Sequence, residues 1–286
     1  MTERKPQILL DHDNLLTHGF AEYPLYHAEY FENFSESFHI PLRELTQLIK
    51  DAEHMVDSQP YDHVLRVGDR IIGPATTDHI WRTYSIAKVV LKSWRTVVLH
   101  EPEADADEDE KKFNHIYRYS YPRAGTIYRH DAKEVVVDLY KTGRLSIVTG
   151  SDTTDVRRQM AELLKNTQID IHELDIWGNA KKSYVDVHRE THTPEHILPA
   201  EYFPYPIYLR KPVYASILRS FENGIGAVVS DSYTYDLALP EYMNILTILL
   251  INEFTAGFEA RYYTNHPHGK LVYTLTEARE SIDHLI

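Results

Sequence analysis

The stretch Gln7-Ile8-Leu9-Leu10-Asp11-His12-Asp13 decides the fold, because an apolar run ends there in two acids one residue apart. Four uncharged residues bounded by charge are typical of a short buried strand. Side chains alternate along an extended chain, so Asp11 and Asp13 point the same way at its end. Acids after a strand are commonly solvated turn residues. Parallel sheets, however, bind ligands just beyond the carboxyl ends of their strands. Two acids in that place can hold a divalent cation, or act as nucleophile and proton carrier.

Composition limits the class of protein. The 286 residues allow one large domain, or a core domain with a substantial insertion, and a hydrophobic fraction of 43% is enough for a packed core. The net charge of -13 disfavours nucleic acid and anionic membranes as partners. The absence of cysteine excludes disulfides, zinc–thiolate sites, iron–sulfur clusters and cysteine nucleophiles. Without an apolar run of signal-peptide or membrane-spanning length, we expect a soluble cytoplasmic protein.

The order of helix and strand patterns predicts an α/β architecture. Helical periodicity dominates residues 20–94, and the acidic run 101–112 is predicted to be a solvated loop. Asp131 and Glu134 have the spacing of a capping box at the start of a helix from Ala132, which Gly143 ends. A strand at 145–148 and a helix at 152–165 follow in turn. Such alternation indicates parallel strands joined by crossovers.

The remaining third of the chain continues the alternation after an interruption. A strand is predicted near residues 169–174, and residues 188–206, rich in Pro, His and Tyr, are predicted to form a long loop or small insertion. A helix opens at Lys211-Pro212, and a short buried strand spans residues 226–229. Two further strands (245–251 and 271–274) and a closing helix (276–285) complete the pattern.

Polar residues follow three of the predicted strands, and the ends of parallel strands lie on one edge of a sheet. The acids and hydroxyl in these places are Asp11, Asp13, Thr149, Asp231 and Asp236. A phosphate bound there would meet the Thr149 hydroxyl and the turn at Gly150 that opens a helix, while Lys211 could neutralise its charge. Acids crowded at one edge favour a bound magnesium ion. Taken singly, each of these residues is also an ordinary turn residue or helix cap.

The order of these motifs resembles that of the haloacid dehalogenase superfamily. Ile8-Leu9-Leu10-Asp11-His12-Asp13 is similar to its first motif, and Ser146-Ile147-Val148-Thr149-Gly150 to its second. Lys211-Pro212 matches the third, and Val229-Ser230-Asp231 with Asp236 matches the fourth. Lys181 and Lys182 are rivals for the third motif, and Lys211 is preferred because a Pro follows it. Asn14-Leu15 and Ser230 depart from the commoner residues at their positions. Asn244 stands where the family often has Gly, and Asn tolerates the left-handed backbone that Gly would supply.

This resemblance implies a Rossmann-like three-layer core with a parallel sheet, formed by residues 1–17 and 120–286. Residues 18–119 would form an inserted, mainly α-helical cap. It further implies a Mg²⁺-dependent phosphatase acting on a small-molecule phosphate ester. Asp11 would be the nucleophile and Asp13 the proton carrier, Thr149, Gly150 and Lys211 would hold the phosphoryl group, and the metal ligands would be Asp11, Asp13, Asp231 and Asp236.

Several alternatives stay open at this point. A phosphomutase uses the same residues, and a catalytically silent relative would bind a phosphate ligand or a partner. Dehalogenation is disfavoured, because a halide leaving group needs no proton from Asp13. His12 is expected at a variable position that points away from both acids. The substrate, the choice between monomer and homodimer, and the roles of the insertion and of the acidic run are not decided by the sequence.

Overall fold

The computed structural model describes residues 6–59, 64–67, 70–74, 76, 78–99, 106–182, 195–196, 207–209, 211–267 and 269–283. The chain divides into two compact units. The first unit comprises residues 1–18, 65–73 and 128–286, and the second comprises residues 19–64 and 74–127. The predicted boundary at residues 119/120 falls inside a helix that continues to Ala124.

The first unit is built on a six-stranded parallel sheet. Its strands are β1 (Gln7–Leu10), β4 (Leu145–Val148), β5 (Asp175–Trp177), β8 (Ile225–Ser230), β9 (Leu246–Leu250) and β10 (Gly269–Val272). Their order is β10-β9-β8-β1-β4-β5, and every neighbouring pair runs parallel. β1 therefore lies in the middle, with Ile8 opposite Leu145 on one side and Ala227 on the other.

Both faces of this sheet are buried along its central strand β1, whose apolar residues Ile8, Leu9 and Leu10 do not alternate with polar ones. Ile8 and Leu10 pack in one core cluster, and Leu9, on the opposite face, is fully buried as well. Burying such a side chain contributes about 1.5–3 kcal/mol. The helices of the unit are α5 (Ala132–Lys141), α6 (Thr153–Leu163), α7 (Pro212–Ser220), α8 (Ala238–Tyr242), α9 (Gly257–Thr264) and α10 (Leu275–Ser281). The predicted fold class, an α/β core with a parallel sheet, is confirmed.

The second unit is mainly helical. It contains α1 (Gly19–Phe38), α2 (Leu42–Ser58), α3 (His79–Ser93), a π-helical segment (Trp94–Leu99) and α4 (Ala106–Ala124). Tyr26, Tyr30 and Phe34 recur at helix spacing on α1, and all three are buried in one aromatic core. Tyr30 and Phe34 stack on one another, so the Tyr30 ring serves packing in this core.

Three local predictions need correction. Two short strands, β2 (Val64–Val67) and β3 (Arg70–Pro74), pair within the region predicted to be helical. The strand predicted at 169–174 lies at β5 instead, because residues 167–174 form turns, bends and irregular backbone. The capping box predicted at Asp131 does not form, since its carboxylate accepts hydrogen bonds from Thr276 instead.

The prediction of a solvated loop at residues 101–112 is also wrong in part. Residues 101–105 lie outside the described residues, but the run continues into the first turns of α4. Asp107, Glu108 and Asp109 occupy the first turn, where acids are favoured by the helix dipole. Asp109 also pairs with Arg95, and Phe113 is buried one turn later. The described part of the acidic run is therefore the beginning of a helix, and one face of that helix is packed.

The predicted loop at 188–206 lies outside the described residues except at β6 (Glu195–His196), which pairs antiparallel with β7 (Ile207–Tyr208).

Among the helices in the described part of the chain, none is long and apolar enough to cross a membrane.

Candidate active site

The carboxyl ends of β1, β4 and β8 bring the predicted strand-end residues to one edge of the sheet. Asp11 follows β1, Thr149 follows β4 and Asp231 follows β8, and all three are buried. Asp11 N donates to Val229 O at 3.1 Å, which fixes the acid beside the neighbouring strand. The sheet order places β1 between the other two strands, so Asp11 is central to the group.

Three of the predicted acids form one buried cluster. Asp11, Asp231 and Asp236 each offer a carboxylate oxygen, and these atoms lie within 4.8 Å of one another. Ser230 Oγ contacts two of the acids, at 3.1 Å from Asp11 Oδ2 and 2.5 Å from Asp236 Oδ2. Asn252 Nδ2 donates to Asp231 Oδ2 at 3.0 Å. Oxygen ligands of this kind are those that Mg²⁺ prefers.

Lys182 is the lysine that joins this cluster. Its Nζ lies 2.7 Å from Asp11 Oδ1 and 3.2 Å from Asp236 Oδ1, and the side chain is buried. Burial alone would lower the pKa of Lys182, but the carboxylates of Asp11 and Asp236 raise it well above its usual value. The ammonium therefore stays charged and bridges two of the acids.

Lys211, which the sequence favoured for this place, lies elsewhere. It precedes α7, and its Nζ donates to the carbonyl of Thr234 at 2.9 Å and to that of Tyr235. Tyr214 Oη donates to the carbonyl of Asp236 at 3.1 Å. Lys211 thus supports the π-helical segment Tyr233–Leu237 that carries Asp236, and it makes no ion pair with Asp11.

The position of β5 explains how Lys182 reaches the cluster. Lys211 was preferred on the Pro that follows it, and that signal says nothing of where the loop after β5 lies. β5 ends at Trp177 and lies beside β4, so the residues after it return to the same sheet edge. Backbone bonds from Asn179 N to Ser151 O (2.7 Å) and from Ala180 N to Thr149 O (2.9 Å) hold this loop there.

Asp13 has surroundings unlike those of Asp11. Its Oδ2 accepts hydrogen bonds from Thr149 Oγ1 at 2.9 Å and from Ser151 Oγ at 2.7 Å. Burial would raise the pKa of Asp13, but hydrogen bonds from His12, Ser151 and Thr149 lower it well below its usual range. Ser151 was not among the site residues predicted from the sequence, and Gly150 beside it, which was, is exposed.

His12 does not point away from the acids as expected. The imidazole is fully buried, its Nδ1 lies 3.2 Å from Asp13 Oδ1, and its Nε2 lies 3.4 Å from Tyr128 Oη. Its backbone N–H also donates to Asp11 Oδ1 at 2.7 Å. The residue between the two acids therefore contacts both of them.

The electrostatics of the cluster fit a bound cation. Burial, Asp236 and Asp13 raise the pKa of Asp11 well above its usual value, although Lys182 acts in the opposite direction. The negative charge of the acid cluster therefore exceeds what the single ammonium group of Lys182 balances. A divalent cation among the oxygens of Asp11, Asp231 and Asp236 would offset this excess.

Gly178 lets the loop that carries Lys182 pass close to α6. A Cβ atom at this position would lie 2.5 Å from Thr153 N and 2.7 Å from Thr153 Cα, and neither backbone atom can rotate away. We expect Gly178→Ala to lower the free energy of unfolding by about 2–3 kcal/mol, measured by urea denaturation. Gly150→Ala, whose Cβ would meet nothing within 4 Å, is the control and should change stability by less than about 1 kcal/mol. Equal effects at the two sites would contradict the described loop.

No protein-family model and no curated protein matches the chain. Several solved structures are similar to it. A hydrolase from Pseudomonas syringae is 14% identical, with coverage of 97% of this chain and 99% of that chain and a TM-score of 0.49. A haloacid dehalogenase-like family hydrolase from Streptococcus pneumoniae is 15% identical (99% and 100% coverage, TM-score 0.48). A HAD phosphatase from Thermococcus onnurineus is 10% identical (97% and 98% coverage, TM-score 0.48). Likenesses this distant say nothing about activity.

Proposed function

We propose that this chain, haloacid dehalogenase-like in its motif order and core fold, is a Mg²⁺-dependent phosphatase that hydrolyses small-molecule phosphate monoesters. The observation that carries this proposal is the unequal setting of the two acids after β1. Asp11 faces an ammonium group and the acid cluster, whereas Asp13 faces hydroxyl groups. Paired carboxylates in different environments are suited to different roles in one reaction.

In the first step, an oxygen of the Asp11 carboxylate attacks phosphorus. The bond from phosphorus to the leaving oxygen breaks, and that oxygen takes a proton from Asp13, which releases an alcohol. The product is an aspartyl-phosphate on Asp11 and a carboxylate on Asp13. A bound phosphate brings negative charge beside Asp13 and so favours the protonated form that this step needs.

In the second step, the Asp13 carboxylate takes a proton from water as the water oxygen attacks phosphorus. The bond between phosphorus and the Asp11 oxygen breaks, which frees inorganic phosphate and restores both acids. The hydrogen bonds from Thr149 and Ser151 hold Asp13 in the carboxylate form that this step requires. Lys182 keeps Asp11 oriented throughout, and the Thr149 hydroxyl would bind a phosphoryl oxygen.

Mg²⁺ would be held by carboxylate oxygens of Asp11, Asp231 and Asp236, with the main chain of Asp13 as a further oxygen donor. When bound, the ion supplies positive charge that stabilises the transferring phosphoryl group. Asn252, through its bond to Asp231, orients one of these ligands.

A generic aryl phosphate tests this proposal directly. We expect the purified chain to release p-nitrophenol from p-nitrophenyl phosphate with Mg²⁺ present, and to lose at least about 100-fold in rate after chelation with EDTA. Adding Mg²⁺ to the stripped protein should restore the rate. It should also stabilise the fold by about 2.7 kcal/mol at 100 times the dissociation constant, observed as a higher melting temperature.

Asp231→Asn is the matched control for the metal. It removes one ligand charge but keeps the oxygen and the hydrogen-bonding shape of the side chain, so activity should require more Mg²⁺ and stabilisation by the ion should shrink. A rate indifferent to EDTA would exclude the metal. Stabilisation by Mg²⁺ without turnover of any phosphate ester would instead indicate a silent relative, and transfer of phosphate within a sugar phosphate would indicate a mutase.

A further inference from the structure

His12 is a buried polar group that the two chemical steps leave without a role. No part of its residue is exposed, although an imidazole in such a place has two nitrogens to satisfy. Nδ1 faces Asp13 Oδ1 at 3.2 Å, and Nε2 faces Tyr128 Oη at 3.4 Å. The His12 and Tyr128 rings meet edge to face, with centroids 6.0 Å apart. The ring therefore links the proton-carrying acid to a phenol.

The two contacts are compatible with a ring that donates from Nδ1 to Asp13. A phenol can donate its O–H to Nε2, which leaves the ring proton on Nδ1, where it is donated to Asp13. This arrangement satisfies both nitrogens of a neutral imidazole. It also gives Asp13 Oδ1 a donor that belongs to the neighbouring residue of the same loop.

Tyr128 is itself fixed against the segment that follows Asp13. Its main chain forms a β-bridge with Thr17, and the next residue, Arg129, donates from its backbone N to Leu16 O at 3.0 Å. Arg129 Nη2 also donates to the carbonyl of Asn14 at 3.0 Å. The phenol therefore meets His12 from a backbone that is tied to the same loop.

The two oxygens of Asp13 are held by different kinds of partner. Oδ2 is held by the hydroxyls of Thr149 and Ser151, which can rotate toward an incoming phosphate. Oδ1 is held by His12, which burial prevents from moving. An acid that gives a proton and later takes one can use one oxygen for the proton while the other oxygen stays anchored.

We propose that His12 is a positioning residue for Asp13: it anchors Oδ1, so that Oδ2 faces the leaving oxygen. This inference rests on the proposed phosphatase function. Its physical consequence concerns the leaving group. p-Nitrophenolate leaves readily without a proton, whereas phenolate and methoxyphenolate are more basic and depend on protonation by a well-placed acid.

Aryl phosphates whose leaving groups differ in basicity measure how strongly the rate depends on protonation of the leaving group. We expect His12→Leu to lower kcat on phenyl phosphate and 4-methoxyphenyl phosphate by about 10- to 100-fold, and on p-nitrophenyl phosphate by less than about threefold, with KM little changed. His12→Asn keeps a side-chain N–H near the place of Nδ1 and should recover most of the loss. Tyr128→Phe should give a smaller loss with the same leaving-group pattern.

The outcomes separate this role from a purely structural one. A damaged fold would lower kcat on all three esters alike, and a melting curve of each variant would show it. Equal losses on all three esters, or no recovery in His12→Asn relative to His12→Leu, would overturn the positioning role while the phosphatase assignment stands. A wild-type chain that turns over none of the esters would overturn the proposed function, and this role with it.

Discussion

Asp11→Asn should abolish turnover of p-nitrophenyl phosphate, with a fall in kcat of at least about 10⁴-fold. An amide cannot form the acyl phosphate, and two other acids of the described site are engaged elsewhere. Asp13 is directed to Thr149 and Ser151, and Asp236 is held by Ser230. The measurement is the steady-state rate with Mg²⁺ present, compared with the wild-type chain.

The fold of Asp11→Asn should survive the change. Burial and the charges of Asp236 and Asp13 raise the pKa of Asp11, so a neutral side chain removes a buried charge that the apo protein holds at a cost. Lys182 keeps its contact with Asp236 in the variant. We therefore expect a melting temperature within a few degrees of wild type. A folded variant that retains more than about 1% of the rate would refute Asp11 as the nucleophile.

Lys182→Met should lower kcat by about 10³-fold and destabilise the protein by about 3–5 kcal/mol. The ammonium contacts Asp11 at 2.7 Å and Asp236 at 3.2 Å, and removing it leaves buried carboxylates without their counter-charge. Both losses are measured on one preparation, by steady-state kinetics and by urea denaturation. High Mg²⁺ should restore part of the stability, because the ion supplies positive charge to the same oxygens, but not the rate.

Lys211→Met is the matched variant, since both lysines are buried and only one touches Asp11. Lys211 donates to the carbonyls of Thr234 and Tyr235, so its loss removes two buried hydrogen bonds, at about 1–3 kcal/mol each. The rate should fall by less than about tenfold, because Asp236 shifts while Asp11 and Lys182 keep their contact. If Lys211→Met were the more damaging to kcat, the assignment of Lys182 would be wrong.

The pH dependence of the free energy of unfolding should also distinguish Lys211 from Lys182. Burial, with the charge of Lys182, lowers the pKa of Lys211 to about 7 from an ordinary value of 10.5, although Asp236 and Glu259 oppose the change. Between these two values the unfolded chain binds a proton that the folded chain does not. The contribution of Lys211 to the free energy of unfolding therefore rises with pH across this window and falls as pH drops toward 7. Lys211→Met should remove that slope, measured as the difference from wild type.

Much of the core could be predicted from local pattern. β1 with Asp11 and β4 with Thr149 were both recognisable, because an apolar run that ends at a polar residue needs no distant information. Asn244 was expected to adopt a left-handed backbone, and its φ is 59°. Parallel strands were implied by helices between them, and their polar ends had to meet at one edge.

Local sequence pattern could not place Lys182, His12 or the Ser151 hydroxyl in the site. Lys182, His12 and Ser151 owe their places to contacts between segments: a loop after β5 bonded to the turn after β4, and a phenol from Tyr128 lying against the loop after β1. The sequence by itself determined the strands and the acids at their ends, because those depend on the order of apolar and polar residues along a few positions. Only the tertiary structure decided which cation reaches Asp11 and which ring holds Asp13, because a side-chain contact depends on distances that exist only once the sheet is assembled.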